Sequence, residues 1–177
     1  MKLKEAHKIN PNAILIHSRI LFDVFNPKDE DIKIEDIAHS LSNVCRYGGH
    51  SPKFYSVAQH CVICSYEEGT AKEKLEFLLH DASEAYLADM PRPIKRNMPN
   101  YIEMEDKLLG LIFKKFNLTF PLSNRVHEVD DSVLAFEYRS FFEIEDKNFD
   151  FWSPDYSKSM FLNRYHELIG QLLIEKI

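Results

Sequence analysis

Two histidines and two aspartates are the residues of this chain best suited to chemistry: His60, His80, Asp81 and Asp130. The pair His80-Asp81 closes an apolar run with helical periodicity, His60 lies twenty residues before it, and Asp130 follows downstream. Neutral imidazole and carboxylate groups are ligands for divalent metals such as Mn, Fe, Co or Zn. Four ligands of this kind leave coordination positions free for water and substrate, so the set predicts the metal site of a hydrolase.

Each of these residues falls in a segment whose apolar residues recur at helical spacing. Thr70 and Glu73 form the pattern of a capping box, and the helix that begins there is expected to continue through Tyr86. His60 lies in a second apolar stretch, and Asp130 lies between valines that place it on the inward face of a third helix. Three helices are therefore predicted to direct ligands toward one point.

Two neighbouring acidic residues allow more than one interpretation. Asp131 competes with Asp130 as the fourth ligand; if the flanking valines face the core, Asp131 lies about 100° further round the helix, which favours Asp130. Glu84 lies one helical turn after His80 on the same face, where it could orient or deprotonate a water molecule on the metal. The alternative for Glu84 is an exposed helix carboxylate.

This set of ligands matches the metal-binding pattern of HD-domain phosphohydrolases. Residues 80–95 resemble the corresponding segment of bacterial 5'-deoxynucleotidases and of the phage dATP triphosphohydrolases related to them. Arg46, fourteen residues before His60, falls where that branch has an arginine near the nucleotide. The resemblance covers residues 34–140 and implies an all-helical enzyme that cleaves phosphoesters and phosphoanhydrides with a divalent metal.

The resemblance also implies roles for two carboxylates after the metal ligands. Glu84 matches a catalytic glutamate of the related nucleotidases, and Asp89 matches a position close to the sugar or phosphate. Asp89 directly precedes Met90-Pro91, so a turn-forming aspartate is the alternative.

Composition favours a single globular enzyme. The chain has 177 residues, 45% of them hydrophobic, which is enough for one well-filled core, so residues 1–177 are predicted to form a single domain. The resemblance implies that this is an HD phosphohydrolase domain. A net charge of −6 argues against a general nucleic-acid surface. The three cysteines, Cys45, Cys61 and Cys64, are expected to be core thiols in a reducing compartment. With no membrane-spanning run and no signal-peptide pattern, a cytoplasmic location is predicted.

The remaining patterns predict an all-α fold, which the resemblance makes a compact HD-domain bundle of about six to seven helices. Residues 13–25 partly alternate between apolar and polar side chains and could form a short β-hairpin near the N-terminus. Pro99 suits the first turn of a helix, and Ser123 and Ser157 are predicted to cap the last two helices.

Substrate binding is expected in two local basic clusters of this acidic chain. The first lies in the loop before the His60 helix, and the second follows the His80 helix; the candidates are Arg46, Tyr47, Gly48, Gly49, His50, Lys53, Arg92, Lys95 and Arg96. Several cations suit a triphosphate somewhat better than a monophosphate. The resemblance suggests that Tyr47 stacks on a base, with room around a purine beside the two glycines. Solvated loop charge and a helix-ending turn are the alternatives.

These observations favour a cytoplasmic deoxynucleotide phosphohydrolase with Zn, Co, Mn or Fe, and room for a second, substrate-bound Mg or Mn ion. A dNTP triphosphohydrolase acting on dATP is the leading prediction, ahead of a 5'-deoxynucleotidase acting on dNMPs. A cyclic-nucleotide or alarmone phosphodiesterase and a catalytically idle nucleotide sensor with the same fold are the alternatives. A homo-oligomer is expected because Phe136–Phe142 and Phe149–Trp152 offer many large apolar groups, with coverage of the helical core as the alternative. The resemblance implies a dimer or a hexamer.

Overall fold

The computed structural model describes residues 10–175, and most of them are helical. A two-stranded hairpin, β1 (Ala13–Leu15) and β2 (Leu21–Asp23), precedes the helices. The helices are α1 (Ile34–Asn43), α2 (Val57–Cys64), α3 (Ala71–Leu79), α4 (Glu84–Leu87), α5 (Arg92–Lys95), α6 (Pro99–Lys115), α7 (Asn124–Tyr138) and α8 (Pro154–Ile174). Single 3₁₀ turns span Asp29–Asp31 and Tyr47–Gly49, and a π-helical turn, Arg139–Glu143, continues α7. The predicted all-α fold with an N-terminal hairpin is confirmed.

The core forms around the C-terminal helix. Helix α8 packs against α1, α2 and α3, and the buried residues Ile37, Val62, Leu78 and Phe161 belong to the apolar cluster that fills this bundle. A smaller cluster of Cys64, Phe77, Val126, Val129 and Val133 joins α7 to α2 and α3. Since α2, the end of α3 and α7 carry the predicted ligands, the two clusters hold the elements of the site in place.

The hairpin covers one end of the bundle. Its strands are antiparallel, with Ile14 opposite Phe22, and only one face of β2 is buried. The ring of Phe22 stacks on Tyr86 with centroids 4.1 Å apart, which ties the hairpin to α4.

Local signals set most helix starts. Thr70 and Glu73 form the predicted capping box, Ser123 caps α7, and Pro99 occupies the first turn of α6. The predicted cap at Ser157 is wrong: α8 begins one turn earlier at Pro154 and is capped by Ser153. Proline fits the first helical position because the backbone N–H that proline lacks would have no partner within the helix at that position.

The helix predicted to run through Tyr86 is interrupted. The α-helical pattern ends at Leu79, and residues 80–83 form turns in which Ala82 N bonds to Leu79 O and Glu84 N to Asp81 O. The His80 imidazole Nδ1 lies 2.7 Å from the carbonyl of Phe77, the acceptor that a continued α-helix would use for the N–H of residue 81. The site histidine thus takes part in ending its own helix.

None of the described helices is sufficiently long and apolar to span a membrane. The prediction about a signal peptide concerns the first nine residues, which lie outside the described range.

Arg164 of α8 holds the end of α2, and its substitution should destabilise the fold. This buried guanidinium donates to the hydroxyl and the carbonyl of Ser65 at 3.1 and 2.5 Å and lies 4.3 Å above the ring of Tyr66. Arg164→Leu would leave the Ser65 carbonyl without this donor, so we expect the free energy of unfolding to fall by about 1–3 kcal/mol, measured by urea denaturation.

The matched control is Glu167→Gln, which removes the half-exposed acid paired with Arg164 but leaves both bonds to Ser65. It should change stability by no more than about 0.5 kcal/mol. An Arg164→Leu protein as stable as the wild type would show that these bonds do not hold α2.

Candidate metal centre

Four side-chain atoms from three parts of the chain converge on one point. His60 Nε2 and His80 Nε2 are 3.3 Å apart. Asp130 Oδ1 lies 3.2 Å from the first and 3.8 Å from the second, whereas Asp81 Oδ2 lies 3.8 and 3.2 Å from them. Ligands about 2.1 Å from a shared metal are about 3.0 Å apart at right angles and about 3.4 Å apart at tetrahedral angles. The observed separations therefore fit a coordination shell.

Local structure explains how each ligand reaches this point. His60 lies in the middle of α2, whose start is capped by Ser56, and Asp130 lies in the middle of α7. His80 and Asp81 lie in the turn between α3 and α4. Both imidazoles are buried, while the Asp81 and Asp130 side chains remain 19% and 18% exposed. The carboxylates therefore form the side of the centre that a substrate can reach.

Hydrogen bonds at the far side of each imidazole orient its lone pair. His60 Nδ1 lies 2.6 Å from Glu137 Oε1, and His80 Nδ1 lies 2.7 Å from the carbonyl of Phe77. Since both partners are acceptors, each Nδ1 carries a proton, and the Nε2 atoms face the centre, where a metal would replace the second proton of each ring. A metal-binding histidine typically has such an outer partner, which sets its tautomer and raises its basicity.

Glu137 was missed by the sequence analysis. Its side chain is fully buried on α7, where it accepts hydrogen bonds from the hydroxyls of Tyr55 at 2.7 Å and Tyr47 at 2.9 Å. Burial alone would raise the pKa of Glu137, but His60, Arg46 and Tyr55 lower it to about 2. The available signal was its position two helical turns after Asp130, on the face that carries the buried valines.

Asp130, rather than Asp131, belongs to the centre. Asp131 is directed to solvent and to Arg92, whose two terminal nitrogens lie 2.7 Å from Asp131 Oδ1 and 2.6 Å from Asp130 Oδ2. Burial would raise the pKa of Asp130, but hydrogen bonds with His60 and His80 lower it well below its usual range. The carboxylate stays ionised, as a metal ligand requires.

Asp81 is stabilised as a carboxylate in a similar way. Burial works to raise its pKa, and His80 lowers it well below the usual range together with His60 and Arg46. Arg46 lies 3.3 Å from Asp81 and 3.4 Å from Glu137. Burial would lower the pKa of Arg46, but these two carboxylates raise it well above its usual value. Arg46 therefore contacts Asp81 Oδ2, the oxygen that faces the histidines, and its guanidinium is already paired.

An open cleft of about 290 Å³ leads to the centre, and several predicted residues line it: Arg46, Tyr47, Asp81, Glu84, Asp89, Lys95 and Asp130. Glu84 is buried; its Oε1 lies 3.8 Å from Lys95 Nζ, and its Oε2 has no hydrogen-bond partner among residues 10–175. Burial raises the pKa of Glu84 well above its usual range, and Asp81 and Asp89 raise it further. Burial also raises the pKa of Asp89. Glu84 is thus not the exposed helix carboxylate considered as its alternative.

Some predicted substrate-binding residues lie away from this cleft. Gly48, Gly49, His50 and Lys53 are not among the residues that line it. Gly48 and Gly49 have positive φ angles, 58° and 80°, as the tight turn after Arg46 requires. Lys53 Nζ lies 5.7 Å from the ring centroid of Phe151. Tyr47 does line the cleft, but its hydroxyl bonds to Glu137 and its ring contacts Phe141 and Phe142 edge-on.

A second groove, here called the side groove, opens on the centre from the opposite side of Arg92 and Lys95. It has a volume of about 410 Å³ and is lined by His80, Asp81, Ser83, Glu105, Asp106, His127, Asp130 and Asp131, among others. Lys95 donates to Glu105 at 2.8 Å. Arg92 and Lys95 of α5 line both the cleft and the side groove. The sequence analysis did not foresee two openings, because the groove wall comes from α6 and α7.

Comparison with known proteins identifies relatives of this chain. No known protein-family profile matches it. It is 40% identical over 156 residues to the uncharacterized protein YfdR of Escherichia coli, covering 78% of this chain and 85% of YfdR. The chain belongs to the YfdR family. It is also 36% identical over 125 residues to the uncharacterized protein RCAP_rcc00048 of Rhodobacter capsulatus, covering 64% of each.

For this member of the YfdR family, the adjacent residues Asp130 and Asp131 provide a test of the ligand set. Loss of an outer partner typically weakens metal binding by about 10–100-fold. We expect Asp130→Asn to weaken binding of Zn²⁺ or Mn²⁺ by more than this, because it replaces a charged ligand. Asp131→Asn removes the same charge from the adjacent residue, yet it should change the affinity for the metal by less than about 3-fold. Isothermal titration calorimetry and metal analysis of the purified proteins measure both. Equal losses in the two variants would contradict the assignment.

Glu137→Gln tests the outer partner of His60. Glutamine keeps the size of the side chain but loses the negative charge that supports the His60 imidazole, so metal affinity should fall by about 10–100-fold. Circular dichroism should show unchanged helical content. Affinity within about 2-fold of wild type would mean that Glu137 has only a structural role.

Proposed function

We propose that this protein is an HD-domain metal-dependent phosphohydrolase that acts on deoxynucleotides. Its leading substrate class is the dNTPs, and dATP is the first candidate among them. The single observation that carries the proposal is the convergence of His60, His80, Asp81 and Asp130 at coordination distances beside a cleft that contains the buried Glu84. The mostly helical fold agrees with the resemblance noted in the sequence.

The residues fit a divalent ion on their own chemistry. Two buried imidazole nitrogens and two partly exposed, ionised carboxylates lie together, and hydrogen bonds at the Nδ1 atoms leave both Nε2 atoms directed at the shared point. Zn, Co, Mn or Fe suits these donors. The bound ion would lower the pKa of a water molecule and polarise the attacked phosphoryl group.

Glu84 is proposed as the general acid–base residue. Because burial and neighbouring carboxylates raise its pKa, Glu84 can hold a proton closer to neutral pH than an exposed glutamate can. Its Oε2 atom is buried without a partner beside the carboxylate ligands, so it can exchange a proton with a water molecule or a leaving oxygen in the cleft.

Phosphate recognition is assigned to the cations at the cleft. Arg46, Arg92 and Lys95 line it, and each is already paired with a carboxylate: Asp81, Asp130 or Glu105. These pairs orient the cations, and the partial exposure of Arg92 and Lys95 lets them turn toward an anionic substrate. Charge-assisted bonds from several cations suit a polyphosphate. Asp89 lines the same cleft and is proposed to contact the sugar.

The proposal includes a cytoplasmic homo-oligomer. Four exposed side chains near the end of α7, on the π-helical turn and directly after it offer an apolar surface to a second copy: Phe136, Tyr138, Phe142 and Ile144.

Product analysis tests the function directly. The purified protein is incubated with the four dNTPs, the four dNMPs and their ribonucleotide counterparts, each with added Mn²⁺, Co²⁺, Zn²⁺ or Mg²⁺. Release of inorganic triphosphate and deoxynucleoside is expected, fastest from dATP. Orthophosphate from dNMPs alone would replace the leading activity with 5'-deoxynucleotidase, and no product with metal bound would contradict both.

Glu84→Gln should lower kcat by about 10²–10⁴-fold, since general acid–base groups contribute that much. Metal content should stay at the wild-type value, because Glu84 is not placed among the ligands. Glu103→Gln, on the exposed side of α6 and outside both openings, should retain wild-type turnover.

The fold of the Glu84→Gln protein can be checked by its pH-dependent stability. Because the pKa of Glu84 is higher in the folded protein than in the unfolded chain, folding favours the protonated carboxyl. As the pH rises above about 4.3, the pKa of glutamate in the unfolded chain, ionisation of Glu84 therefore lowers the stability of the metal-free wild type. The variant should therefore resist urea at pH 8 at least as well as the wild type. An inactive, unstable variant would contradict the assignment of a purely chemical role.

A further inference from the structure

A cysteine lies on the buried side of the candidate metal centre. Cys64 is one helical turn after His60 on α2, and its Sγ lies 3.6 Å from His60 Nε2, the atom that faces the centre. Cys64, His60 and His80 present one donor atom each within 4.8 Å of one another, and all three residues are buried. The sulfur is therefore a neighbour of both nitrogen ligands.

The orientation of His60 determines what this contact can be. Glu137 occupies Nδ1, so Nε2 is the ring nitrogen that Cys64 contacts and that a metal would bind. A metal bound to Nε2 would therefore replace the proton shared in this contact. The sulfur would then need a new partner in a fully buried position.

The distances allow that partner to be the metal itself. With metal–nitrogen and metal–sulfur bonds of about 2.05 and 2.3 Å, nitrogen and sulfur ligands are about 3.1 Å apart at right angles and about 3.6 Å apart at tetrahedral angles. The observed 3.6 Å separation of Cys64 Sγ and His60 Nε2 falls at the second value.

The surroundings of Cys64 favour a soft ligand at this point. Its apolar cluster includes Phe77, Val126, Val129 and Val133, which separate it from solvent. Asp81 and Asp130 occupy the opposite, partly exposed side at the cleft, so a sulfur ligand would not obstruct the substrate side.

We propose that Cys64 is a thiolate ligand on the buried side of the metal centre, and that it makes the site prefer Zn²⁺ or Co²⁺ to Mn²⁺ and Mg²⁺. The inference rests on the metal centre of the proposed function. The metal–sulfur bond forms as the S–H bond breaks, and the proton leaves to water with no change of oxidation state. Thiolate is a soft donor that borderline metals accept far better than hard cations do.

Electronic absorption of the Co²⁺-loaded protein tests this directly. A thiolate-to-cobalt charge-transfer band is expected in the near ultraviolet for the wild type. Cys64→Ser and Cys64→Ala should lose the band, whereas Cys61→Ala should retain it. Cys61 lies on the same helix, is equally buried and has its sulfur within 4.8 Å of donor atoms of His80 and Asp81, so it is the rival sulfur ligand that this comparison tests.

Metal affinities provide a second measurement. In Cys64→Ala, we expect the affinity for Zn²⁺ to fall by about 10-fold or more while that for Mn²⁺ changes by less than about 3-fold, because only the softer metal uses the sulfur. Using both the serine and the alanine variant separates loss of the ligand from loss of side-chain volume.

The outcomes distinguish this inference from the proposed function. If Co²⁺ binds and Asp130→Asn weakens its binding, but the wild type shows no charge-transfer band, the sulfur ligand is refuted and the phosphohydrolase proposal stands. Loss of the band in Cys61→Ala with retention in Cys64→Ala also refutes it. Failure of the wild type to bind any of these metals would refute both.

Discussion

The buried carboxylate of Glu137 is the interaction on which the geometry of the centre depends. An isolated charge in a protein interior is costly, and it persists only when several donors stabilise it. Glu137 has the His60 imidazole at 2.6 Å, two tyrosine hydroxyls and the guanidinium of Arg46 around its two oxygens. These contacts join α7 to α2 and to the loop after α1. They also fix the His60 ring, so that its Nε2 faces the point shared with His80 and the two aspartates.

The turn at residues 80–83 has a comparable effect on the other half of the site. By leaving the α-helical pattern after Leu79, the chain lets His80 and Asp81 present their Nε2 and Oδ2 atoms 3.2 Å apart. The short helix α4 then begins at Glu84, which reaches the cleft. Charge is balanced locally: Arg46 contacts Asp81 Oδ2 and Arg92 contacts Asp130 Oδ2, so an acidic chain contains a centre with nearby cations.

Several features were predictable because their causes are local in the sequence. The capping box of Thr70 and Glu73, the cap at Ser123 and the first-turn Pro99 each depend on residues within one helical turn. Residue type, apolar spacing and resemblance to a known family singled out four side chains that converge in the fold; their binding of a metal stays a prediction. The cap at Ser157 was not, since Ser153-Pro154 offers a competing start one turn earlier.

The sequence by itself therefore determined the helical class, the starts of α3, α6 and α7 and which four side chains could bind a metal. Only the tertiary structure decided that Glu137 orients His60 across 77 residues of sequence, that Arg92 holds both Asp130 and Asp131, and that Cys64 faces a metal ligand. The physical reason is that helical periodicity shows which face of a helix is buried but not which residue of another helix lies opposite. A buried charge or thiol acquires its role from that partner, and packing of the helices chooses the partner.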